Sequence, residues 1–142
     1  MILSRRDQKE IDHMVTGIIV THGMLAEELL QTAKRIFGEF SDCHPVTNIA
    51  KSPKALTDEL ASIISACRED PCILFVDFFG GSCSYACMKL LGSSANLRVI
   101  SGVNLPIVLA FLNKRGDVPF ERLAQEIVER GRTSIQILER ED

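Results

Sequence analysis

Two kinds of hydrophobic pattern alternate along the chain. Val15–Val20 and Cys72–Val76 are almost continuously apolar, which reads as strands covered on both faces rather than on one. Elsewhere apolar residues recur every three or four positions. Leu25, Leu29, Ala33, Ile36 and Phe37 predict a helix over Met24–Phe37, with Gly38 as its stop. Pro45–Ala50 reads as a weaker second strand. Ser52–Pro53 has the form of an N-cap followed by proline at the first helical position, opening a helix to about Cys67. Asp77 ends the third strand, "FFGGS" makes a turn, and Ser82–Leu91 reads as a helix. Leu97–Ser101 is a fourth strand, and Pro106 starts a short helix to about Asn113. Phe120, Leu123, Ala124, Ile127 and Val128 mark an amphipathic helix, and Ser134–Leu138 reads as a final short strand.

Strands alternating with helices at this spacing imply right-handed crossovers and an open, mostly parallel sheet. The fold class is therefore α/β, a small flavodoxin-like sheet of four parallel strands in the order 2-1-3-4. In that order the winding reverses between strands one and three, and ligands settle at the carboxyl ends of the strands at such a point. His22 follows strand one and Asp77 follows strand three. Neighbouring strands lie about 4.8 Å apart, so the two residues are expected side by side at one edge.

Composition narrows the possibilities. The 142 residues suit one domain, taken as 14–142, preceded by a charged and flexible leader, 1–13. Charges of both signs are scattered and sum to −3, without the basic stripe of a nucleic-acid binder. No apolar run is long enough to span a bilayer, and the first residues lack the apolar centre of an export signal, so direct membrane insertion is not expected and a cytoplasmic location is. Five cysteines, an odd number without paired metal-ligand spacing, read as small apolar residues rather than as disulfides or a zinc site.

The chemistry then centres on His22 and Asp77. A carboxylate that accepts from one ring nitrogen fixes the tautomer, leaves the other nitrogen a lone pair, and stabilises positive charge on the ring. Such a pair can serve as general base, metal ligand or nucleophile. "GGSCS" is not a hydrolase elbow, and His13 and His44 are poorly placed to complete a metal site. The nucleophile has better company. Gly80 and Gly81 let backbone amides approach an anion, Ser82 adds a hydroxyl, and the helix N-terminus adds a favourable dipole. Gly23 offers a further amide, and Asn104 stands after strand four as a candidate wall. The arrangement suggests a phosphoryl group carried on His22. There is no nucleotide-binding GxxxxGK[ST] loop, so a donor must arrive already activated.

"GIIVTHG", "VDFFGGS" and "ISGVNLP", in that order, resemble the enzyme IIA component of the mannose family of the bacterial sugar phosphotransferase system. The resemblance covers Met14 to Leu138. It implies that His22 accepts a phosphoryl group on Nε2 from the histidine phosphocarrier protein and passes it to a IIB protein, here on a separate chain. It implies that Asp77 orients the histidine, that Ser82 meets the phosphoryl group, and that no cofactor or metal takes part. It also implies a homodimer in which Ser134–Leu138 crosses antiparallel to the partner's sheet. Phe79 and Cys83 stand where members of the family often have tryptophan and proline. The incoming phosphocarrier is expected over Met24, Phe78 and Phe79. The alternatives are the phosphocarrier subunit of a dihydroxyacetone kinase system, a flavin-binding electron carrier, and a thiol enzyme using Cys83 with His22.

Overall fold

The computed structural model describes residues 14–142. The expectation of a flexible leader over 1–13 lies outside the described residues. Four parallel strands, β1 (Thr16–Thr21), β2 (Cys43–Thr47), β3 (Cys72–Val76) and β4 (Leu97–Ser101), form one sheet in the order β2-β1-β3-β4. The connections are helical: α1 (Leu25–Phe37), α2 (Pro53–Ala66), α3 (Ser82–Leu90), α4 (Leu105–Lys114) and α5 (Phe120–Thr133), with a short 3₁₀ turn over Leu91–Ser93 after α3.

The central pair β1 and β3 is buried along its whole length, as continuous apolar runs require. Side chains of a strand alternate between faces, and this splits the core in two. Ile19, Ile73 and Phe75 pack with Ala26, Leu30, Phe111, Leu123 and Ile127 under α1, α4 and α5. Ile18, Val20, Leu74 and Val76 pack on the other face with Leu56, Leu60, Cys83 and Cys87 under α2 and α3. Burying side chains of this size contributes about 1.5–3 kcal/mol each, which sets the register, because a one-residue slip would exchange the two faces. At the opposite end of the sheet from His22, the buried Arg115 donates to the carbonyls of Val15 (3.2 Å) and Ser41 (2.9 Å), so its charge is not left without partners.

Two elements differ from the expectation. The second strand is Cys43–Thr47, not Pro45–Ala50, and pairs with β1 from Gly17↔Cys43 to Thr21↔Thr47. It is an edge strand in which Val46 alone is fully covered, and Pro45, which has no N–H to give, is tolerated there. Beyond Thr47 the chain turns, with the Lys51 N–H donating to the Asn48 carbonyl and Ala50 at φ +57°. The final strand over Ser134–Leu138 is absent. Ser134 closes α5, and residues 135–142 form no helix or strand. A strand exists only through ladder hydrogen bonds, and within this single chain the tail has no neighbour to make them.

Candidate functional site

His22 and Asp77 are each the first residue past their strand, and the strands are paired in register with Val20 opposite Val76. The fold therefore delivers both side chains to one point on the carboxyl edge. Asp77 Oδ2 accepts from the His22 backbone N–H at 2.9 Å and lies 2.8 Å from the ring Nδ1. Its other oxygen accepts from the Phe78 N–H at 3.1 Å. Burial pushes the Asp77 carboxyl up, but the hydrogen bonds from the His22 backbone and ring and from Phe78, with the His22 charge, outweigh it, so the carboxyl sits below its ordinary value. An ionised Asp77 can only accept, so the ring proton stays on Nδ1 and the lone pair is on Nε2.

Nε2 faces the start of α3, where the Ser82 hydroxyl lies 3.4 Å away. The His22 side chain is 37% exposed and that of Asp77 12%, so the ring is reachable while its partner is sheltered. Gly81 touches this ring: a Cβ there would lie 2.8 Å from His22 Cε1 and 2.9 Å from Phe78 Cζ, closer than any carbon side chain tolerates. The N–H groups of Gly81 and Ser82 have no acceptor among the described residues, and they sit at the positive end of the α3 dipole. This is the anion-favouring side of the site.

The other expected residues fall as follows. The Gly80 N–H donates to Ser84 Oγ at 2.9 Å, so it braces the turn instead of facing outward. Gly23 is held at φ +60°, a conformation that favours glycine, and its N–H donates to Asn48 Oδ1 at 3.2 Å. Asn104 caps α4, its Oδ1 accepting from the Ile107 N–H at 2.9 Å. No hydrogen bond among the described residues joins it to His22, Asp77 or Ser82. Met24, Phe78 and Phe79 are all exposed around the histidine, Phe79 most of all at 76%.

Sequence reasoning missed a clamp beneath the histidine. Thr47 Oγ1 donates to the Gly23 carbonyl (2.6 Å), Asn48 takes the Gly23 N–H, and the buried Thr21 Oγ1 accepts from the Ala26 N–H (2.8 Å). Thr21 thus caps α1 in place of Met24, whose side chain makes no capping bond. A strand run on to Ala50 hides Asn48 in its interior and the turn that follows Thr47. With β2 ending at Thr47, the polar pair Thr47 and Asn48 at its carboxyl end is the signal.

The ligand-bearing atoms of His22, Asp77 and Cys83 lie within 4.8 Å of one another. Burial, and then the Asp77 charge, push the Cys83 thiol up, so the sulfur stays protonated at neutral pH and is a poor metal ligand or nucleophile. The pair His22–Asp77 is what the site offers chemically, with the Nε2 lone pair turned toward Ser82.

Residues 16–128 match the model of the mannose-type IIA family, described as the fructose IIA component of the phosphotransferase system. This chain belongs to the mannose family of phosphotransferase-system IIA proteins. It is 31% identical over 124 residues to the mannose-specific EIIAB component of Escherichia coli K12, covering 85% of this chain and 38% of that protein. The chain therefore spans well under half the length of that relative. It is 25% identical over 114 residues to the sorbose-specific EIIA component of Klebsiella pneumoniae, covering 80% of this chain and 84% of the other. The solved mannose/sorbose-specific IIA subunit from Enterococcus faecalis has the same fold, with a TM-score of 0.81 at 24% identity over 91% of this chain and 98% of that one. No helix among the described residues is long and apolar enough to cross a membrane.

Proposed function

We propose that this IIA protein is a phosphoryl carrier. His22 Nε2 attacks the phosphorus of a phosphohistidine on the histidine phosphocarrier protein. The new N–P bond forms as the donor's N–P bond breaks, and the donor imidazole keeps that electron pair. The group then leaves by the same exchange to a histidine or cysteine nucleophile on a IIB protein. The observation that carries this reading is the 2.8 Å contact between Asp77 Oδ2 and Nδ1, which directs the lone pair to Nε2 beside Ser82.

Each residue has a role in this exchange. Asp77 holds the proton on Nδ1 by accepting its hydrogen bond and offsets the positive charge that develops on the ring. Ser82 Oγ and the first N–H groups of α3 receive the phosphoryl oxygens. Met24, Phe78 and Phe79 form an apolar collar that a partner protein covers during transfer, excluding water from a labile bond. No cofactor or metal has a part in it, and the cytoplasm, where such donors are charged, is its place of work.

The homodimer belongs to the same reading. Ile135, Ile137 and Leu138 are 78–91% exposed on a tail that joins no strand ladder, and β4 leaves one edge of the sheet open. An antiparallel exchange of tails between two copies would satisfy both features. Removal of residues 134–142 should then convert a dimer into a monomer in sedimentation equilibrium, and an unchanged mass would end that part of the proposal.

The carrier role is tested by incubating the protein with phosphoenolpyruvate, enzyme I and the histidine phosphocarrier protein. The expected product is an acid-labile, base-stable phosphate that is lost in His22→Ala. Stable incorporation into that variant would refute it.

A further inference from the structure

We infer that Phe78 is a positioning residue for His22, and that its ring stabilises the positive charge which the imidazole carries while phosphorylated. This rests on the carrier role of His22 and adds a part for a residue otherwise assigned only to docking. The two rings are stacked, with centroids 5.1 Å apart and planes inclined by 26°. Phe78 is 52% exposed, so core packing does not dictate where its ring lies. Its backbone N–H holds the second oxygen of Asp77 at 3.1 Å. One residue therefore touches both members of the catalytic pair, through its ring and through its main chain.

Gly81 completes the seat. The positions its Cβ would occupy, 2.8 Å from the imidazole and 2.9 Å from the phenyl ring, show that both rings close down onto the same stretch of backbone. The imidazole is thus bounded by Phe78, by the turn before α3 and by the carboxylate on Nδ1. A leucine at 78 would fill similar space and remain apolar toward a docking protein, but it has no aromatic face.

The charge argument follows from the bonds. With Nδ1 keeping its proton for Asp77 and Nε2 bonded to phosphorus, the ring is an imidazolium. A cation within about 6 Å of an aromatic centroid is attracted to the negative face of the ring. In the free protein the neutral imidazole gains less, so the contact favours the phosphorylated state and the approach to it.

The test uses phosphoramidate, which needs no docking surface. Its N–P bond breaks as Nε2 bonds to phosphorus; the zwitterionic reagent releases neutral ammonia, and the ring keeps its Nδ1 proton. Wild type, Phe78→Leu and Phe78→Tyr are compared for the rate of His22 phosphorylation, the lifetime of the phosphohistidine, and the NMR shift of the His22 ring protons. We expect Phe78→Leu to react about three-fold more slowly, to lose its phosphate sooner, and to lose the ring-current shift, with Phe78→Tyr close to wild type in all three. Equal rates and lifetimes in wild type and Phe78→Leu would overturn the inference, as would a defect seen only with the protein donor, which assigns Phe78 to docking. Wild type that takes no phosphate on His22 would instead bring down the carrier reading beneath it.

Discussion

A single oxygen of Asp77 holds His22 at two points, the backbone N–H at 2.9 Å and the ring Nδ1 at 2.8 Å. The main-chain contact fixes where the residue leaves β1, and the ring contact fixes which nitrogen faces outward. A carboxylate is needed for this, because both groups donate and an amide oxygen without charge binds an imidazolium less well.

Asp77→Asn should therefore keep the fold and slow transfer. A hydrogen bond to a charged group contributes about 1.5–3 kcal/mol, or roughly 10- to 150-fold in rate. Rapid-quench measurement of phosphate uptake from the histidine phosphocarrier protein checks this, with far-ultraviolet circular dichroism confirming the fold. A rate within two-fold of wild type would remove Asp77 from the mechanism.

The same contacts give a pH signature in stability. The Asp77 carboxyl is buried, which raises it, yet the bonds from His22 and Phe78 bring it below the ordinary value of 3.8. A depressed carboxyl stabilises the folded state above the unfolded value, and that contribution disappears as pH falls through the lowered folded value. The stability gap between wild type and Asp77→Asn should hold level above pH 3.8 and close on further acidification. Urea melts of both proteins at a series of pH values measure it.

Gly81→Ala separates geometry from stability. The new methyl would press on His22 Cε1 at 2.8 Å, although φ at Gly81 is −94°, which alanine adopts freely. Displacing a reacting group by about 1 Å can cost about 100-fold, whereas alanine at an N-cap costs about 1 kcal/mol. Transfer should fall at least ten-fold with a modest drop in melting temperature.

Cys83→Ala addresses the thiol alternative. The sulfur is fully buried, and its thiol is pushed up by burial and by the Asp77 charge. Phosphoryl transfer in the variant should stay within about two-fold of wild type, at a stability cost near 1 kcal/mol for the lost sulfur. A collapse in rate with the fold intact would return Cys83 to the chemistry.

Much of this architecture is legible in the residues. Continuous apolar runs reveal β1 and β3 because both faces are covered, and their ends place His22 and Asp77 at the reversal of winding. Ser52 and Pro53 announce α2, and the Ser52 side chain does accept from the Ala55 N–H. The edge strand β2 is less visible, since Val46 is its one fully covered residue and a half-solvated strand leaves little hydrophobic pattern. Hydrogen bonds across the sheet are not visible at all. Nothing near Gly23 in sequence says that Asn48, twenty-five positions on, takes its N–H. Likewise, the stacking of Phe78 on His22 depends on a turn geometry that composition does not encode.

The central claim concerns which nitrogen carries the group. Nitrogen and phosphorus NMR of the phosphorylated, ¹⁵N-histidine-labelled protein should place phosphorus on Nε2 of His22, with Nδ1 still protonated toward Asp77. Phosphorus on Nδ1, or on any other residue, would contradict the account.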